Sequence, residues 1–188
     1  MKAQLPNILT FSRILLIPLL ILFFYLPYRW SLYLCTLIFI LAMLTDWLDG
    51  YLARRFNQQS SFGAFLDPVA DKLVISTALI LLVSRQPDWV ITLPALVIVG
   101  REIAVSALRE WMAELGKRSL LAVSVLAKIK TVAQTVAIGA LLWHYPISGV
   151  DMHSIGLILL YVAAILTLIS MFDYLKIAWK SMHGRIAD

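Results

Sequence analysis

Six long apolar stretches constrain this chain more than anything else in it. They run over Ile8–Leu26, Ser31–Arg54, Ala64–Val83, Trp89–Trp111, Leu120–Trp143 and Ser154–Trp179. A bilayer core of about 30 Å takes about 20 apolar residues in a helix. Inside lipid the backbone must satisfy its own hydrogen bonds, which leaves helices or closed barrels. The runs are continuous and lack the two-residue alternation of barrel strands, so they read as helices. Breaks fall at Pro27-Tyr28, at Gln86-Pro87-Asp88, and between Tyr145-Pro146 and Gly149-Val150-Asp151. With 61% hydrophobic and 14% charged residues and a mean hydropathy of +0.87, a water-soluble globule, a disordered chain and a nucleic-acid binder are all excluded. The expectation is an all-α integral membrane protein with six transmembrane helices in a single domain, 1–188. Lys2 and the first apolar run resemble a signal peptide, but no small-x-small cleavage site follows, so that run is expected to stay as a span.

The basic residues are distributed unevenly. Of 16 Lys and Arg, only Arg29 and Arg85 fall near the outer span ends when the N-terminus is placed inside. The other fourteen lie on the inner side or in the inner parts of spans: Lys2, Arg13, Arg54, Arg55, Lys72, Arg101, Arg109, Lys117, Arg118, Lys128, Lys130, Lys176, Lys180 and Arg185. The positive-inside rule then predicts both termini in the cytoplasm. Tyr25, Tyr28, Trp30, Trp89, Trp143 and Tyr145 form an expected outer aromatic belt, with Trp111 and Trp179 on the inner one.

Near the inner ends of the second and third spans lie four aspartates. Asp46 and Asp49 are three apart, Asp67 and Asp71 four apart, and each spacing stacks its pair on one helix face. A short polar turn joins the two helices, so they are expected to be antiparallel neighbours with their carboxylate pairs facing. Carboxylates crowded in a low-dielectric site stay ionised only with positive charge between them. Hard oxygen ligands call for Mg²⁺ or Mn²⁺, and two such helices suit two ions about 3.5–4 Å apart. The plainer reading makes these residues helix caps and salt bridges. Asp67 before Pro68, for instance, fits an N-cap with proline at the first helical position. Four together inside spans, each charge costing about 2.5–3.5 kcal/mol or more, favour a polar metal site at the cytoplasmic side of the bundle. Gly50 and Gly63 serve either helix packing or close approach of a nucleotide.

Written out, the stretch is D-x-x-D-G-x-x-A-R-x8-G-x-x-x-D-x-x-x-D, carried by Asp46, Asp49, Gly50, Ala53, Arg54, Gly63, Asp67 and Asp71. It resembles the signature of the CDP-alcohol phosphatidyltransferase family without departure. The likeness extends over nearly the whole chain, because that family has six transmembrane helices. Softer flanking motifs, Pro6–Arg13, Gly100-Arg101-Glu102, Ser106–Arg109 and Lys128–Thr131, are similar to bacterial members that use glycerol 3-phosphate. The resemblance implies a metal-dependent enzyme of phospholipid biosynthesis in the bacterial inner membrane, its active site facing the cytoplasm. CDP-diacylglycerol and sn-glycerol 3-phosphate would give CMP and phosphatidylglycerophosphate. It further implies that Asp46, Asp49 and Asp67 ligate one metal ion, and that Asp46, Asp67 and Asp71 ligate the other. Asp71 would also take the proton of the acceptor hydroxyl. Asn7, Thr10, Arg13, Gly50, Arg54 and Gly63 would bind CDP-diacylglycerol. Membrane lipids are the surroundings, nucleic acid is no partner, and a homodimer is left open.

The residues also speak about the acceptor. Arg101, Arg109, Lys128 and Lys130 lie in the inner halves of spans four and five, with Arg118 and Lys117 in the connection and Glu102 and Glu114 opposing them. A neutral polyol would not need such a surplus, whereas a dianionic phosphate would. The same residues are also read as positive-inside cations snorkelling to headgroups. Glu102 and Arg109, seven apart, are expected on one face and able to pair. The competing functions are the same chemistry with serine or inositol phosphate, or a small divalent-cation transporter. His144, His153 and His183 show no ligand spacing, and Cys35 reads as an inert buried thiol.

Overall fold

The computed structural model describes residues 5–56, 61–116 and 125–182. Within them, the side chains of 5–8, 49–56, 61, 62, 64, 125–128 and 180–182 lie outside the described set. Every element among the described residues is a helix apart from one turn: α1 Leu5–Phe24, α2 Arg29–Phe56, α3 Ser61–Arg85, α4 Trp89–Glu114, α5 Val125–Trp143 and α6 Met152–Met182. Each apolar stretch expected from the sequence overlaps one of them, residues 120–124 of the fifth lying outside the described residues. Three segments, Arg29–Leu48, Trp89–Glu114 and Met152–Trp179, are long and apolar enough to cross a bilayer. Leu9–Phe24 and Ile129–Trp143 are shorter apolar helices, and α3 is interrupted by Asp67, Asp71 and Lys72. The protein is membrane-embedded: its outer surface is leucine, isoleucine, valine and aromatic residues, a surface stable in lipid rather than water.

Helix ends follow the local sequence. Asp88 caps α4, accepting from the Ile91 amide at 3.1 Å. The Gln86 side chain and that amide hold the Asp88 carboxyl below the usual carboxylate range. Between α5 and α6, Ser148 and Gly149 both adopt positive φ, and Ile147 and Val150 exchange backbone hydrogen bonds across them. This is the two-residue turn that favours glycine. A Cβ on Gly156 would lie 2.7 Å from Leu141 Cγ and 3.1 Å from the Leu141 amide, so α5 and α6 pack in close contact only because that side chain is missing.

The helices close a ring in the order α1, α2, α5, α6, α4, α3 and back to α1, with α3 also reaching α2 and α5. The ring encloses a core of Leu20, Phe39, Val74, Leu79, Ile98, Ile138, Leu142 and Leu160, with Cys35 buried among them. A second, smaller cluster of Val105, Met112, Tyr174 and Ala178 joins α4 to α6 near one end. The ring brings residues 13, 46, 67, 71, 101, 109, 130 and 174 to that same end, hereafter the carboxylate end. The opposite, aromatic end gathers the stacked Tyr28–Trp30 pair and the Tyr33–Trp143 and Tyr33–Tyr145 contacts.

Candidate active site

The motif helices α2 and α3 do touch, but α1 packs more extensively against each of them. It carries Arg13, which is fully buried. Arg13 Nη1 lies 2.8 Å from Asp46 Oδ1 and 3.2 Å from Asp67 Oδ1. A buried guanidinium must be paired, and these two carboxylates, from different helices, pair it. The positive charge expected between the aspartates is thus supplied here by a side chain of the first helix. Thr10, one turn earlier on α1, is buried as well. Asp71 stands one helical turn beyond Asp67 on α3. Among the described residues no group of three acidic, histidine or cysteine side chains is drawn in closely enough to hold an ion.

Asp67 is not a helix cap. It lies six residues inside α3, which begins at Ser61 and runs through Pro68. Proline at position 68 has no amide hydrogen, so the carbonyl of residue 64 lacks its usual helical partner.

Beside the carboxylates opens a cavity of about 430 Å³. Its walls come from three helices. Asp71 and Lys72 stand on α3, Arg101, Glu102, Ser106, Arg109 and Glu110 on α4, and Lys130, Thr131 and Gln134 on α5. Four cations thus face three carboxylates. The sequence placed Arg101 and Arg109 in span four and Lys130 in span five, and the fold turns all three into one cavity. Glu110 adds to the acidic side, which the sequence reading credited to Glu102 and Glu114.

Glu102 does not pair with Arg109. Its Oε1 accepts from Arg101 Nη1 at 2.9 Å and lies 3.4 Å from Lys130 Nζ. Arg109 is engaged from the other side, donating from Nη2 to the Tyr174 hydroxyl at 2.9 Å with its guanidinium 5.3 Å from that ring. Arg101 donates to Ser170 Oγ at 2.9 Å and also lies over the Tyr174 ring, at 5.9 Å. Lys72 meets the Ser106 hydroxyl, which donates to the Glu102 carbonyl. Tyr174 and Ser170, four apart on α6, therefore hold the two arginines from behind. The sequence reading missed both. A signal existed in Thr167, Ser170 and Tyr174, spaced three and four along an otherwise apolar span and all buried.

Of the other expected site residues, Gly63 stands on the first turn of α3. Asp49, Gly50 and Arg54 lie on α2, Asn7 on α1 and Lys128 on α5, but their side chains fall outside the described residues, and Arg118 falls outside them altogether.

Comparison with known proteins identifies the family. The family model described as CDP-alcohol phosphatidyltransferase matches residues 3–169. A protein of Haemophilus influenzae named CDP-diacylglycerol–glycerol-3-phosphate 3-phosphatidyltransferase is 53% identical over 186 residues, covering 99% of each chain. Proteins of the same name from Pectobacterium atrosepticum and Yersinia enterocolitica are 53% and 50% identical, covering 95% and 97% of this chain and 96% and 98% of theirs. The chain belongs to the CDP-alcohol phosphatidyltransferase family.

Proposed function

We propose that this member of the family transfers the phosphatidyl group of CDP-diacylglycerol to sn-glycerol 3-phosphate, releasing CMP and phosphatidylglycerophosphate. Relatives bearing that activity in their names match it over nearly its whole length. The structural observation that carries the reading is the position of Asp71. It lines the cation-rich cavity and stands one helical turn beyond Asp67, which pairs with Arg13 beside Asp46.

In this reading the acceptor's phosphate takes Arg101, Arg109 and Lys130, the cations that line the cavity. Arg118 and Lys128 are its further candidates. The acceptor hydroxyl is left beside Asp71, which accepts its proton. The freed oxygen attacks the lipid-bearing phosphorus of the donor, the bond from that phosphorus to the CMP phosphate oxygen breaks, and CMP departs. The protein contributes alignment and a base, each worth orders of magnitude in rate. Asn7, Thr10, Arg13, Gly50, Arg54 and Gly63 would hold the donor.

The donor set suits a hard divalent cation, because the cluster consists of carboxylate oxygens and the residues around it include no thiol or imidazole. Asp46, Asp49 and Asp67 would hold one Mg²⁺ or Mn²⁺, and Asp46, Asp67 and Asp71 a second. Two such ions neutralise a diphosphate and the charge that grows on its leaving group. We further propose six spans with both termini in the cytoplasm, in a bacterial inner membrane, with the carboxylate end facing inward.

The test is CMP release by purified protein from CDP-diacylglycerol with each acceptor in turn. Glycerol 3-phosphate should support turnover, while serine, inositol phosphate and water should support little. Equal release with inositol phosphate would refute the assigned acceptor, and release without any acceptor would refute the transferase.

A further inference from the structure

The two basic residues that break the one-sided charge pattern share a single groove. Among the described residues, Arg29 and Arg85 are the only lysines or arginines at the aromatic end. Both line an open groove of about 410 Å³ together with Tyr25, Tyr28, Ser84 and Tyr145. These residues come from the end of α1, the start of α2, the end of α3 and the α5–α6 connection, segments far apart in the chain.

No carboxylate among the described residues accounts for both charges. Neither arginine is ion-paired among the described residues. The two carboxylates at this end are engaged elsewhere. Asp88 accepts from Gln86 and the Ile91 amide, and Asp151 from Ser154 and the His153 amide. Arg85 at the C-terminus of α3 suits the helix dipole, but Arg29 opens α2, where a cation opposes the dipole and no acidic residue shares the first turn.

The surroundings identify the missing anion. The stacked Tyr28 and Trp30 rings, 5.3 Å apart, and the exposed Tyr25 and Trp89 mark this end as the level where aromatic side chains meet lipid headgroups. Exposed Leu22, Ile21 and Leu37 continue down the same helices as apolar surface. An occupant must therefore present a phosphate to two guanidiniums while its chains run along that surface. We infer that this groove binds the headgroup of an anionic phospholipid, its phosphate between Arg29 and Arg85. The inference needs only that this end meets headgroups, so it does not depend on the transferase reading or on which leaflet is involved.

Native mass spectrometry of the detergent-purified protein, titrated with phosphatidylglycerol or phosphatidylcholine, tests it. Wild type should retain one more phosphatidylglycerol than R29Q/R85Q, and no such difference should appear with phosphatidylcholine. At about 1 kcal/mol per basic residue near lipid phosphate, losing both arginines should weaken that site roughly 30-fold. CMP release by the double variant should persist, showing that it is folded. R29K/R85K, which keeps the charge, should recover most of the retained lipid. Equal phosphatidylglycerol retention by wild type and R29Q/R85Q would overturn the site. So would equal loss in the lysine and glutamine variants, which would make the arginines merely structural. Displacement of the lipid by millimolar inorganic phosphate would replace the lipid with a free anion and overturn the assignment.

Discussion

Replacing Tyr174 by phenylalanine isolates one interaction in the proposed acceptor site. The ring stays, so both guanidiniums keep their face contacts at 5.3 and 5.9 Å, and only the hydroxyl that Arg109 donates to at 2.9 Å is lost. A hydrogen bond to a charged group is worth about 1.5–3 kcal/mol, and about 1.4 kcal/mol is tenfold in affinity. If Arg109 contacts the acceptor phosphate, loss of its anchor should raise the KM for glycerol 3-phosphate roughly tenfold. The KM for CDP-diacylglycerol should hold steady, because the donor is assigned to the Asp46–Asp71 region. Tyr174→Ala removes the ring from two arginines as well, and each cation–π contact adds about 0.5–2 kcal/mol, so its effect should be larger. It is the poorer probe, however. Tyr174 is 5% exposed and packs with Val105, Met112 and Ala178, and deleting a buried aromatic costs about 3–5 kcal/mol of stability. The assay is CMP release at saturating donor and varied acceptor, with thermal unfolding measured alongside. An unchanged acceptor KM in Tyr174→Phe, beside a raised one in Arg109→Ala, would show that the tyrosine only packs. A parallel rise in donor KM would show that the whole carboxylate end had shifted.

Arg109→Ala and Lys130→Ala should each raise the acceptor KM about 10- to 100-fold, while Lys176→Ala, on α6 outside the cavity, should leave it alone; unchanged KM in both would assign the cations to lipid headgroups instead. Asp→Asn at 46, 49, 67 or 71 should lower turnover at least about 100-fold at saturating Mg²⁺ or Mn²⁺, and near-normal turnover in any one would remove that residue from the metal or base assignment. Reporter fusions after Asp188 and within 148–151 should report opposite sides of the membrane, and the same side for both would refute the six-span topology.

The helices were legible because their signal is local: long apolar runs interrupted by proline, glycine and polar clusters. The approach of Asp46 and Asp67 to one another across Arg13 agrees with the expectation that α2 and α3 are neighbours with their carboxylates facing. What was not legible depends on which helix becomes whose neighbour. Arg13 reads as an inner-side cation that the family resemblance assigns to the donor, and its pairing with Asp46 and Asp67 follows only from the packing of α1 against α2 and α3. Glu102 and Arg109 do share a helix, but sharing a face does not select a partner. Glu102 has Arg101 beside it and Lys130 across from it on α5, while Tyr174 of α6 takes Arg109. Asp67-Pro68 carries a genuine local cap signal, overridden because α3 starts a turn and a half earlier and tolerates the proline.

Separating the charges does more than bind two anions. Both proposed substrates carry phosphate, and a site lined uniformly with cations would accept either in either orientation. Here the cavity is one side of the proposed site, lined by Arg101, Arg109, Lys130 and Lys72 against Asp71, Glu102 and Glu110, and the other side is Asp46 and Asp67, bridged by Arg13, which do not line the cavity. A phosphate monoester is attracted to the first side and repelled by the second unless divalent cations intervene. In the proposed reaction its phosphate would be held by the cavity's cations, and the end of the molecule without charge, the hydroxyl, would reach Asp71. Fixing that orientation before reaction is the kind of alignment that supplies about 7–11 kcal/mol in well-oriented systems. Glu102 sharpens it. By occupying Arg101 and Lys130 when no acceptor is bound, it leaves an anion of lower charge than a phosphate dianion at a disadvantage in competing for those cations. The same arrangement is why the proposal assigns the base to Asp71 rather than Asp67. Both are on α3, but only Asp71 lines the cavity where the acceptor would stand, one helical turn further along the face that carries the carboxylate cluster.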